Sequence, residues 1–103
     1  MKSKEGVIEA ELVKLCKGVG WLCIKLVDYV GIPDRIVITT NGVVCFVECK
    51  VRKGKLSPAQ IAWRDNILAK MLGVYYQDVY SVKDVSKIIG LLLLEDQKRC
   101  SRR

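Results

Sequence analysis

Two short runs, Arg35-Ile36-Val37-Ile38-Thr39 and Val43-Val44-Cys45-Phe46-Val47-Glu48-Cys49-Lys50, lie on either side of an Asn41-Gly42 turn signal, and each is apolar on both of its faces. Side chains of a strand leave alternately to opposite sides. Ile36, Ile38, Val44 and Phe46 therefore form one apolar surface of the hairpin, and Val37, Val43, Cys45 and Val47 form the other. Neither surface can face water, so this hairpin has to be the middle of a sheet covered by helices on both sides. With 103 residues, half of them hydrophobic, the chain is the size of one domain with one core.

Residues 3–19 carry Ile8, Leu12, Leu15, Cys16 and Val19 at the spacing of one helical face, which predicts a first helix. Gly18 and Gly20 stop it, and residues 21–30 read as a strand. Gly31-Ile32-Pro33 breaks the chain before the hairpin. Ser57 as N-cap and Pro58 at the first helical position predict a second helix, with Ile61, Leu68 and Leu72 on its apolar side and Gly73 at its end. Residues 74–82 read as a strand. A last helix begins within 81–84, with Val85, Ile88, Ile89 and Leu92 on one face. The expected order is α-β-β-β-α-β-α, an α/β fold with a central mixed four-stranded sheet flanked by helices. Residues 1–103 form one domain, and about 96–103 a solvated basic tail.

The chain carries 18 Lys and Arg against 11 acids, a net charge of +7, which favours an anionic partner. The absence of histidine excludes a Ser-His triad, a Cys-His dyad and any His-based zinc site. The five cysteines, at 16, 23, 45, 49 and 100, lack paired C-x-x-C spacing, and four of them fall in apolar segments where they read as small core residues. Residues 1–14 are too acidic and too periodic for a signal peptide, and no apolar run reaches the roughly 18 residues needed to span a membrane. The expected setting is intracellular, the cytoplasm of a bacterial or phage-infected cell.

Against this basic background, Glu48 and Lys50 leave the same face of one strand, with Cys49 pointing away. Asp34 joins them only if the turn has the right parity. A two-residue turn would set Asp34 opposite Cys49. A three-residue loop, Thr40-Asn41-Gly42 with Gly42 in the left-handed conformation, pairs Thr39 with Val43 and Asp34 with Glu48. Two carboxylates beside apolar side chains repel one another and call for a cation, and their hard oxygens favour Mg²⁺ or Mn²⁺ over zinc. The plainer alternative is an ordinary strand ion pair between Glu48 and Lys50.

Gly31-Ile32-Pro33-Asp34-Arg35-Ile36, Phe46-Val47-Glu48-Cys49-Lys50 and Gly54-Lys55-Leu56-Ser57-Pro58-Ala59-Gln60, in this order and at this spacing, resemble the signature of VRR-NUC domains, a branch of the PD-(D/E)xK nuclease superfamily. The resemblance extends from about residue 5 to about residue 85 and is similar in size to the stand-alone phage and bacterial members. It implies a restriction-endonuclease-like core in which Asp34, Glu48 and the backbone carbonyl of Cys49 bind Mg²⁺ or Mn²⁺ and Lys50 is the catalytic lysine. A helix-one glutamate also serves in this family. Glu9 matches it, with Glu5 as rival and Glu11 on the opposite border of the helix. Gln60 matches the family's glutamine. Lys25 matches a lysine of the pattern, and with Arg35, Arg52, Lys53 and Lys55 it is a candidate for phosphate contacts.

The function that the resemblance implies is metal-dependent hydrolysis of DNA, selective for branched structures such as four-way junctions or flaps. A junction is cut on two strands, and a symmetric homodimer supplies two sites. The last helix, apolar nearly all round through Ile88-Ile89-Gly90-Leu91-Leu92-Leu93-Leu94, is the candidate dimer surface. Two readings stand beside this one: a non-catalytic nucleic-acid-binding protein on the same fold, and a module that only dimerises.

Overall fold

A computed structural model describes residues 4–27, 30–51, 56–70 and 73–101. Its elements are α1 (Lys4–Gly18), β1 (Leu22–Lys25), β2 (Arg35–Ile38), β3 (Val44–Cys49), α2 (Pro58–Lys70), β4 (Val74–Val79) and α3 (Val82–Ser101). The strands form one sheet in the order β1-β2-β3-β4. The first two pairings are antiparallel, and β3 pairs with β4 in parallel across the α2 crossover. This is the expected mixed sheet in the expected order.

The two faces of the hairpin are both covered. On one side Val37, Val43, Cys45 and Val47 are fully buried, together with Val79 of β4, against Ile8, Leu12 and Cys16 of α1 and Val85, Ile88, Ile89 and Leu92 of α3. On the other side Phe46 meets Trp63 of α2 edge-on, with ring centroids 4.9 Å apart. Aromatic pairs of this geometry add about 1 kcal/mol to their area burial. Gly42 sits at φ +86°, its N–H bonds the Thr39 carbonyl, and the Thr39 N–H bonds the Val43 carbonyl. The loop is therefore the three-residue one, and β2 and β3 pair with Ile38 opposite Val44 and Arg35 opposite Val47.

Several expectations need correction. Of the strand expected over 21–30, Leu22–Lys25 forms β1 and Trp21 turns into the core instead, its N–H held by the Cys16 carbonyl; residues 28 and 29 lie outside the described residues. Val19 lies past the end of α1 and is exposed. β4 stops at Val79, since Ser81 caps α3 through the Asp84 N–H while Asp84 accepts from the Tyr80 N–H. Ile61 is exposed; α2 faces the sheet through Trp63, whose larger ring reaches Phe46. Leu72 and the side chain of Leu68 lie outside the described residues.

The basic tail is not a tail over its described part. α3 continues to Ser101, and its end is tied down. Asp96 accepts from the Asn41 N–H at 2.8 Å, and the Arg99 guanidinium bonds the carbonyls of Gly42 at 2.6 Å and Gly73 at 3.1 Å. The hairpin loop is thus clamped to the last helix. Of the cysteines, Cys16, Cys45 and Cys49 are buried, Cys23 is half-buried and Cys100 is exposed, all free.

Candidate functional site

Asp34 arrives at the sheet through a constrained turn. Gly31 has φ +86° and lies so close to α2 that an added Cβ would stand 2.5 Å from the Ala59 carbonyl oxygen. Pro33 is fully buried, and the Leu26 N–H bonds the Asp34 carbonyl, extending the β1-β2 pairing by one step. One step beyond Arg35 and Val47, the β2-β3 register sets Asp34 across from Glu48. Their side chains share a face. Asp34 Oδ2 also accepts from the Cys49 N–H at 2.7 Å.

Glu48 lies on the most buried strand and is only 4% exposed. Burial, the charge of Asp34 and a hydrogen bond with it push its carboxyl up to about 8, with Asp78 adding to the rise and Lys50 opposing it. Its Oε2 is buried without a hydrogen-bond partner. Asp78 stands opposite Glu48 in the parallel β3-β4 register, and its Oδ1 is likewise buried and unpartnered. Three carboxylates therefore occupy one row across three neighbouring strands, Glu48 in the middle. Tyr76, two residues before Asp78 on the same face, has its hydroxyl pKa raised by burial and by these carboxylates.

Lys50 follows β3 directly, beside this row. Its N–H bonds the Val79 carbonyl, and its Nζ donates to Gln60 Oε1 at 3.2 Å. The same Oε1 accepts from the Ser57 N–H at 2.9 Å, while Ser57 Oγ accepts from the Gln60 N–H at 3.2 Å. Ser57 and Gln60 form the reciprocal cap that satisfies two free donors of α2. Gln60 is consequently both cap and tether for Lys50. Gln60→Ala is expected to lower stability by about 1 kcal/mol, read as a lower urea midpoint, and Gln60→Glu, which keeps the cap, to leave that midpoint within the error of the measurement.

The structure gathers Asp34, Glu48, Cys49, Lys50 and Gln60. Glu9 stands in a second group on the α1 side. Its Oε2 accepts from Lys25 Nζ at 2.7 Å and from Arg35 Nε at 2.6 Å. Burial works to raise this carboxyl, but the two hydrogen bonds and charges outweigh it and hold it below its ordinary value. Glu5 is exposed on the first turn of α1. Arg52, Lys53 and Lys55 lie outside the described residues. Asp78 was not singled out from the sequence. The available signal was an aspartate inside the β-rich run Val74-Tyr75-Tyr76-Gln77-Asp78-Val79, a position where strands disfavour that residue.

The oxygen set fits a hard cation, because Glu48 carries an unpaired buried oxygen and Asp34 lies across from it. Among the described residues no three His, Cys, Asp or Glu side chains form a metal-holding group by themselves. Magnesium commonly takes one or two carboxylates and fills its other positions with water and phosphate.

No family model matches the sequence. A solved structure described as "VRR_NUC domain" is similar to this chain with a TM-score of 0.77 and 30% identity, over 86% of this chain and 97% of that one. The chain belongs to the VRR_NUC family. A second relative of this VRR_NUC domain is the protein described as "Putative nuclease p44" from Acyrthosiphon pisum secondary endosymbiont phage 1, 38% identical over 60 residues. That match takes in 56% of this chain and 64% of the phage protein. Among the described residues of the VRR_NUC domain, no helix is long and apolar enough to cross a membrane.

Proposed function

We propose that this VRR_NUC domain is a divalent-metal-dependent DNA endonuclease, selective for branched DNA, that resolves four-way junctions as a homodimer. The observation that carries the reading is Glu48, a buried carboxylate with an unpaired oxygen, set across from Asp34 and two residues from a lysine held by Gln60. Nothing in the packing of the fold calls for that arrangement, and burial of an unpaired charge is costly.

Asp34, Glu48 and the Cys49 carbonyl would hold Mg²⁺ or Mn²⁺. When bound, the ion supplies Lewis-acid polarisation of a phosphate oxygen and a more acidic water. Lys50 places its ammonium where charge develops on the phosphate or where the attacking water sits, and Gln60 limits the positions that ammonium can take. Asp34 keeps the Cys49 peptide oriented through its bond to the N–H. The phosphodiester is cut by water, and the leaving oxygen takes up a proton. Glu9, with Lys25 and Arg35, supports phosphate binding at the β1-β2 end of the sheet. These two cations are held in place by Glu9 rather than by each other's neighbours in sequence.

The homodimer is supported by α3, where Leu91 and Leu94 are 58% exposed and Leu93 41%. Leu91, Leu94 and Tyr75 line a groove of about 390 Å³ between α3 and β4, an apolar surface of the kind that a second copy covers.

The test is incubation of the protein with a labelled four-way junction, a flap and a linear duplex in Mg²⁺ or Mn²⁺, with EDTA and Lys50→Ala controls. Paired incisions at the junction are expected, absent in EDTA and reduced about 100-fold to 1,000-fold in Lys50→Ala. Salt-sensitive DNA binding with no scission in either metal would replace this reading with that of a non-catalytic binding protein.

A further inference from the structure

Asp34 and Glu48 serve the proposed metal site, and Asp78 has no part in it. Asp78 is nonetheless the neighbour of Glu48 on β4, in register and on the same face, with strands about 4.8 Å apart in such a pairing. Glu48 is 96% buried, being 4% exposed, and its Oε2 has no hydrogen-bond partner; Asp78 Oδ1 is buried and unpartnered as well. Buried polar atoms are almost always satisfied. Two such orphans on facing residues point to a species that belongs between them.

A shared proton would do this only through a hydrogen bond, and neither oxygen makes one. A bridging water would satisfy the oxygens only with Glu48 kept protonated, the state in which it holds no ion. A cation satisfies the oxygens and offsets the charge. Asp78 is itself only half-buried and lies on β4, the edge strand of the sheet, so the row is open to solvent at that end.

We infer that Glu48 and Asp78 hold a second divalent cation beside the one at Asp34 and Glu48, so that Glu48 bridges two ions and Asp78 is a metal ligand outside the family motif. Water and phosphate oxygens complete its shell. Ions sharing a carboxylate in this way stand about 3.5–4 Å apart. The inference rests on the proposed reading of Asp34 and Glu48 as metal ligands.

Mn²⁺ titration of the full chain, followed by electron paramagnetic resonance, tests it without reference to cleavage. The wild type is expected to bind two Mn²⁺ per chain with the broadened, multi-line spectrum of a spin-coupled pair. Asp78→Asn is expected to bind one, uncoupled, with the second site weakened roughly tenfold or more. Asp78→Ser serves if the Asn variant does not fold, and the metal-free melting curve of each variant shows which of them does. A single uncoupled Mn²⁺ in both wild type and the Asp78 variants, still lost in Asp34→Asn, overturns the second site and leaves the nuclease reading standing. Absence of any bound Mn²⁺ in the wild type, with or without a DNA junction, overturns both.

Discussion

Glu48→Gln is expected to raise the melting temperature of the metal-free protein while removing its cleavage activity. In the folded chain Glu48 is buried between Asp34 and Asp78, and its carboxyl is raised to about 8 from an ordinary 4.5. The unfolded chain releases that proton near 4.5 and the folded one retains it to about 8. Between these limits the unfolded state binds fewer protons, so stability falls as pH rises across the window and levels off above it. The total fall is on the order of 2–4 kcal/mol. Glutamine has nearly the same shape and no charge. Its melting temperature should be flat over that pH range and, at pH 8, higher than wild type by at least about 4 °C.

Cleavage should drop about a thousandfold, since the carboxylate proposed to hold the ion is gone. If Glu48 holds the proposed ion, added Mn²⁺ should stabilise the wild type and not the variant, which lacks the carboxylate. A glutamine variant less stable than wild type at pH 8 would mean that Glu48 is a satisfied structural residue, and the functional reading would lose the observation that carries it. Scanning calorimetry at intervals from pH 4.5 to 8.5 makes the measurement.

The residues whose environment is local were the ones that could be read from sequence. Both-face hydrophobicity of the hairpin required two covering layers, and the sheet has α1 and α3 on one side and α2 on the other. The requirement that Asp34 meet Glu48 selected a three-residue loop, and Gly42 at φ +86° makes one. Ser57 acts as the expected cap because a serine hydroxyl reaches an N–H only three residues on, and Ser81 does the same where α3 begins within the expected 81–84. What spacing could not supply were contacts between distant segments. Glu9 finds Lys25 and Arg35, 16 and 26 residues away. Arg99 finds Gly42 and Gly73 across the fold, which converts an apparently solvated basic end into a clamp. Asp78 became visible only when the parallel register brought β4 beside β3. No periodicity encodes that neighbour, because it depends on the length and path of the α2 crossover.

Gly31→Ala is expected to be the most damaging single-methyl change in the described chain. At φ +86° an L side chain is strained by about 1–2 kcal/mol. Here the new Cβ would also stand 2.5 Å from the Ala59 carbonyl oxygen and 2.6 Å from its carbon, backbone atoms of α2 that cannot rotate away. Relief requires α2 to move off the Gly31-Pro33 turn. That motion carries Gln60, the tether of Lys50, and loosens the segment that delivers Asp34. A loss of about 2–4 kcal/mol is expected, with a melting temperature lower by roughly 10 °C. Gly90, inside α3 with nothing within 4 Å of an added Cβ, is the control; Gly90→Ala should stabilise by about 0.5–1 kcal/mol. Below its melting temperature, the Gly31 variant should also lose more in kcat than in KM, because Lys25 and Arg35, proposed to meet the phosphates, stay paired with Glu9 while Lys50 shifts. If cleavage survives in full while stability drops, the Gly31 contact serves packing alone, and the orientation of Lys50 does not depend on where α2 begins.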